Sequence, residues 1–139
     1  MTITKKHRTY FKAAKAISEL SDFRRVKIGS VAVYGHKIIS SGCNSTKTNP
    51  TQKKYNSYRF CGDDGLHMIH SEVQCLLPLI NRTDIDFSRV SLYIYRETKD
   101  GNLSLARPCP SCLNLIRDLG IKDIYYTGNG SYIAEQLVD

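Results

Sequence analysis

Four residues have the types and the spacing to hold a metal ion beside an acid–base group. His70 and Glu72 open the apolar stretch "HSEVQCLLPLI", and Cys109 and Cys112 form a C-x-x-C pair in "RPCPSC". Two thiolates at that spacing can bind one Zn²⁺ and leave two tetrahedral positions open. His70 can take the third position, and a carboxylate beside a water in the fourth can transfer protons to a substrate. These residue types therefore indicate a catalytic zinc site.

The C-x-x-C pair has other interpretations when it is taken alone. It is also typical of a redox dithiol or of half of a structural zinc site. The redox interpretation is weak, because it needs a thioredoxin-like βαβ context. The pair follows Pro108 and opens a predicted helix, whose N-terminal partial positive charge favours thiolate.

Length and composition indicate a single globular domain over residues 1–139. Apolar residues make up 41% of the chain and charged residues 24%, which is ordinary for such a domain. No apolar stretch is long enough to span a bilayer, and no secretory signal is visible, so we expect a cytoplasmic protein without a membrane partner. The net charge of +7 favours an anionic partner but does not distinguish a nucleotide from a nucleic acid.

The predicted elements follow the order helix, two strands, helix, strand, helix, strand and a short last helix. Helices are predicted at 4–20, 69–80, 109–120 and Tyr132–Val138, a hairpin at 26–44, and single strands at 89–97 and 121–128. A long polar loop fills 44–65. This order predicts an α/β sandwich with helices packed on a sheet.

Residues 70–72 and 108–112 together form the arrangement H-x-E…P-C-x-x-C that zinc nucleobase deaminases share. The order of the parts agrees as well: a hairpin, a loop, "HSE" opening a helix, a strand, "PCPSC" opening the next helix, and "GIKDIYYT". The sequence resembles the cytidine/deoxycytidylate deaminase superfamily over roughly residues 24–127. The resemblance implies a three-layer α/β/α sandwich with a mixed sheet of four to five strands.

The resemblance also implies a reaction and its residues. His70, Cys109 and Cys112 would bind one zinc ion. Water would attack C4 of a cytosine ring, and Glu72 would protonate N3 and then the departing amino group, which releases ammonia. The substrate expected is a small cytosine nucleotide, dCMP before others. Asn44 matches an asparagine that binds the substrate's sugar, and Tyr126 matches a tyrosine near the substrate.

Several basic residues bear on the choice of substrate. Lys47, Arg59 and Arg107 are expected around the mouth of the site, where they could meet a 5′-phosphate. Aromatic residues between the lysines of the 44–65 loop could stack on bases, so a base within single-stranded DNA or RNA is the alternative substrate. The loop departs from the pattern of deoxycytidylate deaminases, and Ser71 stands where many relatives have alanine.

A non-enzymatic zinc module is the remaining alternative. Cys43, Cys61 or His67 would then close the zinc shell, or together hold a second zinc, which we do not expect because no spacing rule joins them. Glu72 argues against the module, since a structural shell has no use for a carboxylate beside it. By resemblance alone, a homo-oligomer is expected.

Overall fold

A mixed sheet of five strands lies between helices on both of its faces. The structure is a computed structural model, and it describes residues 2–23, 26–47, 51 and 69–137. The strands are β1 (Ile28–Tyr34), β2 (Lys37–Cys43), β3 (Ser91–Arg96), β4 (Asp123–Thr127) and β5 (Tyr132–Gln136). Their spatial order is β2-β1-β3-β4-β5, and β3 and β4 are parallel while every other pair is antiparallel.

Three α-helices form the outer layers. They are α1 (Lys5–Ser18), α2 (Ser71–Leu76) and α3 (Pro110–Leu119), and two short 3₁₀ turns cover Leu77–Leu79 and Phe87–Arg89. The predicted three-layer α/β/α sandwich with a mixed sheet is therefore confirmed. No helix within the described ranges has the length and apolar character needed to cross a membrane.

Alternation along the strands gives each face of the sheet its own core. Tyr93 on β3 and Tyr125 on β4 face α1, where their rings stack on each other and Tyr93 packs against Phe11. Leu92 and Ile94, on either side of Tyr93 along β3, point the other way into the core under α2 and α3. Because side chains along a strand alternate between faces, one short sequence supplies both cores.

A tight turn sets the register of the β1–β2 hairpin. Gly35 and His36 both have positive φ, at 57° and 66°, and Tyr34 pairs with Lys37 across the turn. Two central residues with positive φ are the signature of the type I′ turn that matches strand twist. The predicted hairpin is confirmed.

Gly42 lets α2 approach the sheet closely. A Cβ at Gly42 would lie 2.8 Å from the carbonyl oxygen of Ser71 and would also collide with the backbone at Cys75. The first turn of α2 therefore rests directly on the backbone of β2. This contact fixes the position of His70 and Glu72 relative to the sheet.

Two predicted elements differ from the observed ones. The helix predicted at 69–80 is α-helical only to Leu76, because Pro78 has no N–H for the α-helical ladder and the chain continues as a 3₁₀ turn. The helix predicted at Tyr132–Val138 is wrong. That segment forms β5, because the turn at 128–131 returns the chain antiparallel to β4 and strand pairing overrides its helical propensity. Most of the 44–65 loop lies outside the described residues.

Candidate metal centre and its cavity

Two helix starts bring the predicted metal ligands together. His70 is the N-cap of α2 and Cys109 is the N-cap of α3, both with extended backbone. Pro110 occupies the first turn of α3, where its missing N–H costs nothing and its fixed φ suits the helix. Cys112 follows in the same turn. The two helix starts thus face one point at the edge of the sheet.

The three ligand atoms have the spacing of a tetrahedral zinc site. His70 Nδ1 lies 3.3 Å from Cys112 Sγ and 3.6 Å from Cys109 Sγ, and all three atoms lie within 4.8 Å of one another. A tetrahedron with usual Zn–N and Zn–S bonds has an N–S edge of about 3.6 Å. The donor set and its spacing therefore fit Zn²⁺, and this is the one such group of His, Cys, Asp or Glu within the described ranges.

A hydrogen bond between the two thiols shifts their pKa values in opposite directions, so it favours a thiolate at only one of them. The hydrogen bond from Cys112, with help from His70, lowers the pKa of Cys109 to about 3 despite its burial. The same hydrogen bond, together with burial and the nearby Glu72, raises the pKa of Cys112. A divalent cation would remove this conflict, because it stabilises both thiolates at once.

Glu72 is held in place by a chain of buried hydroxyls. Its side chain is only 5% exposed, and the Ser71 hydroxyl donates to Glu72 Oε1 at 2.6 Å. Ser30 on β1 lies 2.7 Å from Ser71, oxygen to oxygen, and both serines are fully buried. This hydrogen bond fixes the orientation of the Glu72 carboxylate.

A cavity of about 310 Å³ opens in front of these groups, and we call it the site cavity. His70, Glu72 and Cys109 stand on its wall. Its other lining residues among those described are Phe23, Ile28, Asn44, Ile69, Ser71, Ile94, Arg96, Leu105, Ala106 and Arg107. The volume falls within the range of small-molecule sites, and the lining combines apolar walls with a few polar groups.

Asn44 lines the site cavity and at the same time secures the start of β1. Its Oδ1 accepts from the backbone N–H of Ile28 at 2.9 Å, and its Nδ2 donates to the Val26 carbonyl at 2.8 Å. An amide nitrogen has two hydrogens, so one remains for a ligand in the cavity. Asn44 therefore secures β1 and lines the site cavity, and its predicted role in binding the substrate's sugar stays a prediction.

Arg107 lines the cavity, whereas Tyr126 lies in the core beside it. Arg107 forms a two-pronged ion pair with Glu135 on β5, at 2.9 Å from Nε and 2.8 Å from Nη2. The Tyr126 hydroxyl donates to the same carboxylate at 2.7 Å. Arg107 lowers the pKa of Glu135 to about 2. Tyr126 is thus one side chain removed from the cavity, and its predicted role near the substrate is untested.

Only some of the other residues predicted to contact the substrate or a second zinc ion lie within the described part of the chain. Lys47 is exposed and is absent from the described lining, although its carbonyl accepts from the N–H of Ile69 next to His70. Arg59, Cys61 and His67 lie outside the described residues. Cys43 is buried at the end of β2 and does not belong to the group formed by the three ligands.

Arg96 is a cavity residue that sequence reasoning missed. It ends β3, two positions after Ile94, so both side chains lie on the cavity side of the sheet. From sequence alone, the arginine before the last residue of "RVSLYIYRE" looks like an ordinary polar residue at the end of a strand. The signal that could have found it is its pairing with Ile28, which follows from placing β1 beside β3.

Comparisons with known proteins agree with this geometry. A family model, the cytidine and deoxycytidylate deaminase zinc-binding region, matches residues 4–128. The dCMP deaminase of cyanophage S-TIM5 in its apo form is 22% identical, with a TM-score of 0.62 over 91% of this chain and 84% of that one. No match was found among the curated proteins compared.

Two further solved structures share the fold. The S-TIM5 enzyme in complex with dCMP and dUMP is 20% identical, with a TM-score of 0.61 over 91% of this chain and 83% of that one. The cytidine deaminase of Burkholderia pseudomallei is 21% identical, with a TM-score of 0.62 over 98% of this chain and 93% of that one. Since the family model matches most of the chain, this protein belongs to the cytidine and deoxycytidylate deaminase family.

Proposed function

We propose that this protein is a zinc-dependent hydrolytic deaminase that converts a cytosine nucleotide, dCMP, to its uracil form with release of ammonia. One observation carries the proposal. The three ligand atoms of His70, Cys109 and Cys112 lie together at a cavity whose wall also holds the buried carboxylate of Glu72. A metal-binding group beside an oriented acid–base group, at a cavity of ligand size, is the arrangement hydrolytic deamination requires.

The residues of the site divide the chemistry among them. One zinc ion held by His70, Cys109 and Cys112 would supply the Lewis acidity that lets water act as a nucleophile near neutral pH. Glu72 takes a proton from that water and delivers it to N3 of the ring. It then carries the second proton to the amino group, which leaves as ammonia. Ser71 holds Oε1 throughout, so the carboxylate keeps one orientation.

The nucleotide part of the proposal rests on the rim of the cavity. Asn44, Arg96 and Arg107 line the cavity. In this proposal the remaining amide N–H of Asn44 would donate to a sugar hydroxyl, and the two arginines would favour an anionic phosphate. A solved structure of the S-TIM5 enzyme holds dCMP and dUMP, which supports a deoxynucleotide for this chain too. Lys47, Arg59 and Tyr126 remain proposed contacts from resemblance.

The test is ammonia release by zinc-quantified protein against a panel of substrates. The panel contains dCMP, CMP, deoxycytidine, cytidine, adenine and guanine nucleotides, and single-stranded oligonucleotides. We expect turnover of dCMP above the others. Glu72→Ala should keep its zinc and lose activity by roughly 10²–10⁴-fold, the usual contribution of a general acid–base group.

Each alternative function has its own outcome in this test. Ammonia release from oligonucleotides only would indicate that the basic residues at the rim of the cavity bind a nucleic-acid strand. Zinc bound without turnover of any panel member would favour the structural module. Loss of fold and zinc in Glu72→Ala would contradict a catalytic role for that residue, and Glu72→Gln, which keeps the side chain's shape, serves as the second variant.

A further inference from the structure

A second cavity of about 310 Å³ lies on the α1 side of the sheet. It is bounded by the first turn of α1, the β1–β2 turn and the 3₁₀ turn at Phe87–Arg89. Its described lining residues are Thr4, Lys6, His7, Tyr10, Val33, Gly35, His36, Arg89, Ser91, Tyr93 and Tyr125. None of these residues lines the site cavity.

The charged groups around this second cavity are basic. Lys6, His7, His36 and Arg89 come from three separate elements, and no acidic side chain appears in the described lining. Two carboxylates lie outside that lining on adjoining elements. Asp86 precedes the 3₁₀ turn and accepts from Ser88, and Asp123 starts β4 and acts electrostatically on Tyr93 and Tyr125. A concave surface lined with converging cations favours an anion.

The two histidines offer N–H donors at this cavity. His7 Nδ1 accepts from the backbone N–H of Thr4 at 3.0 Å, and His36 Nδ1 lies 2.7 Å from the Lys6 ammonium, which can only donate. When Nδ1 accepts, the ring proton of a neutral imidazole sits on Nε2. Both rings are therefore fixed in the form that leaves an Nε2–H available as a donor.

A hydroxyl donor also lies at the same cavity. Tyr93 is among its lining residues, and a phenolic O–H can donate a hydrogen bond to a bound anion. The Tyr93 ring itself is well packed, between Tyr10, Phe11 and Tyr125.

We propose that the second cavity binds a phosphate group, either free phosphate or the phosphate of a nucleotide. Lys6 and Arg89 supply the charge, while the two histidines and the Tyr93 hydroxyl supply further N–H and O–H donors. The cavity lies at the Val33–Ser91 end of the paired strands β1 and β3, whereas the site cavity lies at their Ile28–Arg96 end. Along β1 this separation is about 17 Å, so the two sites are distinct.

The experiment follows the imidazole NMR signals of His7 and His36, two of only four histidines in the chain. Zinc-loaded Glu72→Ala protein, which should not turn dCMP over, is titrated at constant pH with inorganic phosphate, dCMP and deoxycytidine. We expect both histidines to shift with phosphate and dCMP but not with deoxycytidine, which has no phosphate. An affinity for dCMP well above that for phosphate would identify a nucleotide as the ligand, and equal affinities would identify free phosphate.

Matched variants make the assignment specific. Lys6→Gln and Arg89→Gln should each weaken phosphate binding about tenfold, since each removes a charge-assisted hydrogen bond. Tyr93→Phe keeps the packed ring and should weaken it by a smaller factor. Lys12→Gln, an exposed lysine on the same helix outside the cavity, should change nothing. Equal weakening by Lys6→Gln and Lys12→Gln, or unshifted His7 and His36 signals at millimolar phosphate, would overturn the proposal.

Discussion

At the scale of single residues, Glu72 depends on a partner that is distant in sequence. Ser30 and Ser71 stand 41 positions apart, yet their hydroxyls meet at 2.7 Å, and Ser71 passes the contact on to Glu72 Oε1. In this protein the two buried hydroxyls satisfy each other and set the rotamer of the carboxylate.

Replacing Ser71 by alanine tests this orientation. We expect kcat to fall about tenfold while KM stays close to its original value, because a hydrogen bond to a charged group is lost without a loss of substrate contacts. Ser30→Ala should have a smaller effect. The double variant should be no slower than Ser71→Ala alone, since Ser30 acts through Ser71.

Ser111 provides the matched control for that experiment. It lies between Cys109 and Cys112 as Ser71 lies between His70 and Glu72, and its buried hydroxyl has no partner among the described residues. Ser111→Ala should therefore leave kcat unchanged and keep or raise the thermal midpoint of unfolding. Equal losses of activity in the Ser71 and Ser111 variants would contradict a specific role for Ser71.

The metal ligands could be predicted from sequence, whereas their supporting residues could not. His70, Cys109 and Cys112 have metal-binding side chains, and the two cysteines have the C-x-x-C spacing of zinc sites. Residue type and spacing are therefore enough to indicate them. Ser30 and Arg96 are ordinary residues at ordinary strand positions. Their relation to the site exists only through strand pairing and the packing of α2 on β2.

At the scale of elements, the close packing of α2 on β2 positions the site. Gly42→Ala should lower the free energy of unfolding by about 1–3 kcal/mol, because the new methyl group meets helix backbone and not a flexible side chain. Since α2 begins next to His70, we also expect weaker zinc binding. Urea unfolding and zinc competition with a chelator measure the two effects.

Ser41→Ala is the control for Gly42→Ala. Ser41 is the preceding residue on β2 and is exposed, so its substitution should leave both stability and zinc affinity nearly unchanged. A Gly42→Ala protein as stable as Ser41→Ala would show that α2 can shift without cost.

The ion pair between β5 and the segment before α3 should appear in the pH dependence of stability. Arg107 lowers the pKa of Glu135 in the folded protein to about 2, from an ordinary value of 4.5. The unfolded chain therefore takes up the proton first as the pH falls. The contribution of the pair is complete above pH 4.5 and is lost as the pH approaches 2.

Glu135→Gln isolates that contribution. Solvent screens this partly exposed pair, so we expect it to add at most about 1 kcal/mol to the free energy of unfolding. The difference in stability between wild type and Glu135→Gln should be complete at pH 6 and clearly smaller at pH 2.5. A difference that grows on acidification would have the wrong sign for this pair.

Helix ends could be read from the sequence, but the last strand could not. Pro110 and Gly120 bound α3 as predicted, since each has a backbone preference that acts locally. For β5 the local preference points to helix, and pairing with β4 decides the outcome. Local signals therefore predicted the elements that carry the site and failed for an element at the sheet edge.

At the scale of the whole molecule, the net charge of +7 bears on the choice between nucleotide and nucleic acid. If dCMP is the substrate, log KM should rise with log salt at a slope near one, because one phosphate releases few counterions. A single strand bound across the basic surface would give a slope of several. Kinetics between about 50 and 200 mM salt distinguish the two.

The expected homo-oligomer is tested at the same scale. We predict a sedimentation mass that is a multiple of the 15.7 kDa chain. A monomer at the concentrations used for kinetics, with full activity, would contradict this prediction and would show that one chain completes the site.

The stacked rings beneath α1 give this protein an optical signal of its own. The chain has no tryptophan, and the Tyr93 and Tyr125 rings lie nearly parallel, with centroids 4.5 Å apart and planes 8° from each other. The electronic transitions of two tyrosine rings this close together couple. We therefore expect a strong near-ultraviolet circular dichroism band from this face of the sheet. Cobalt in place of zinc would give visible absorption from the opposite face. The two faces can then be watched at separate wavelengths while one of them is perturbed.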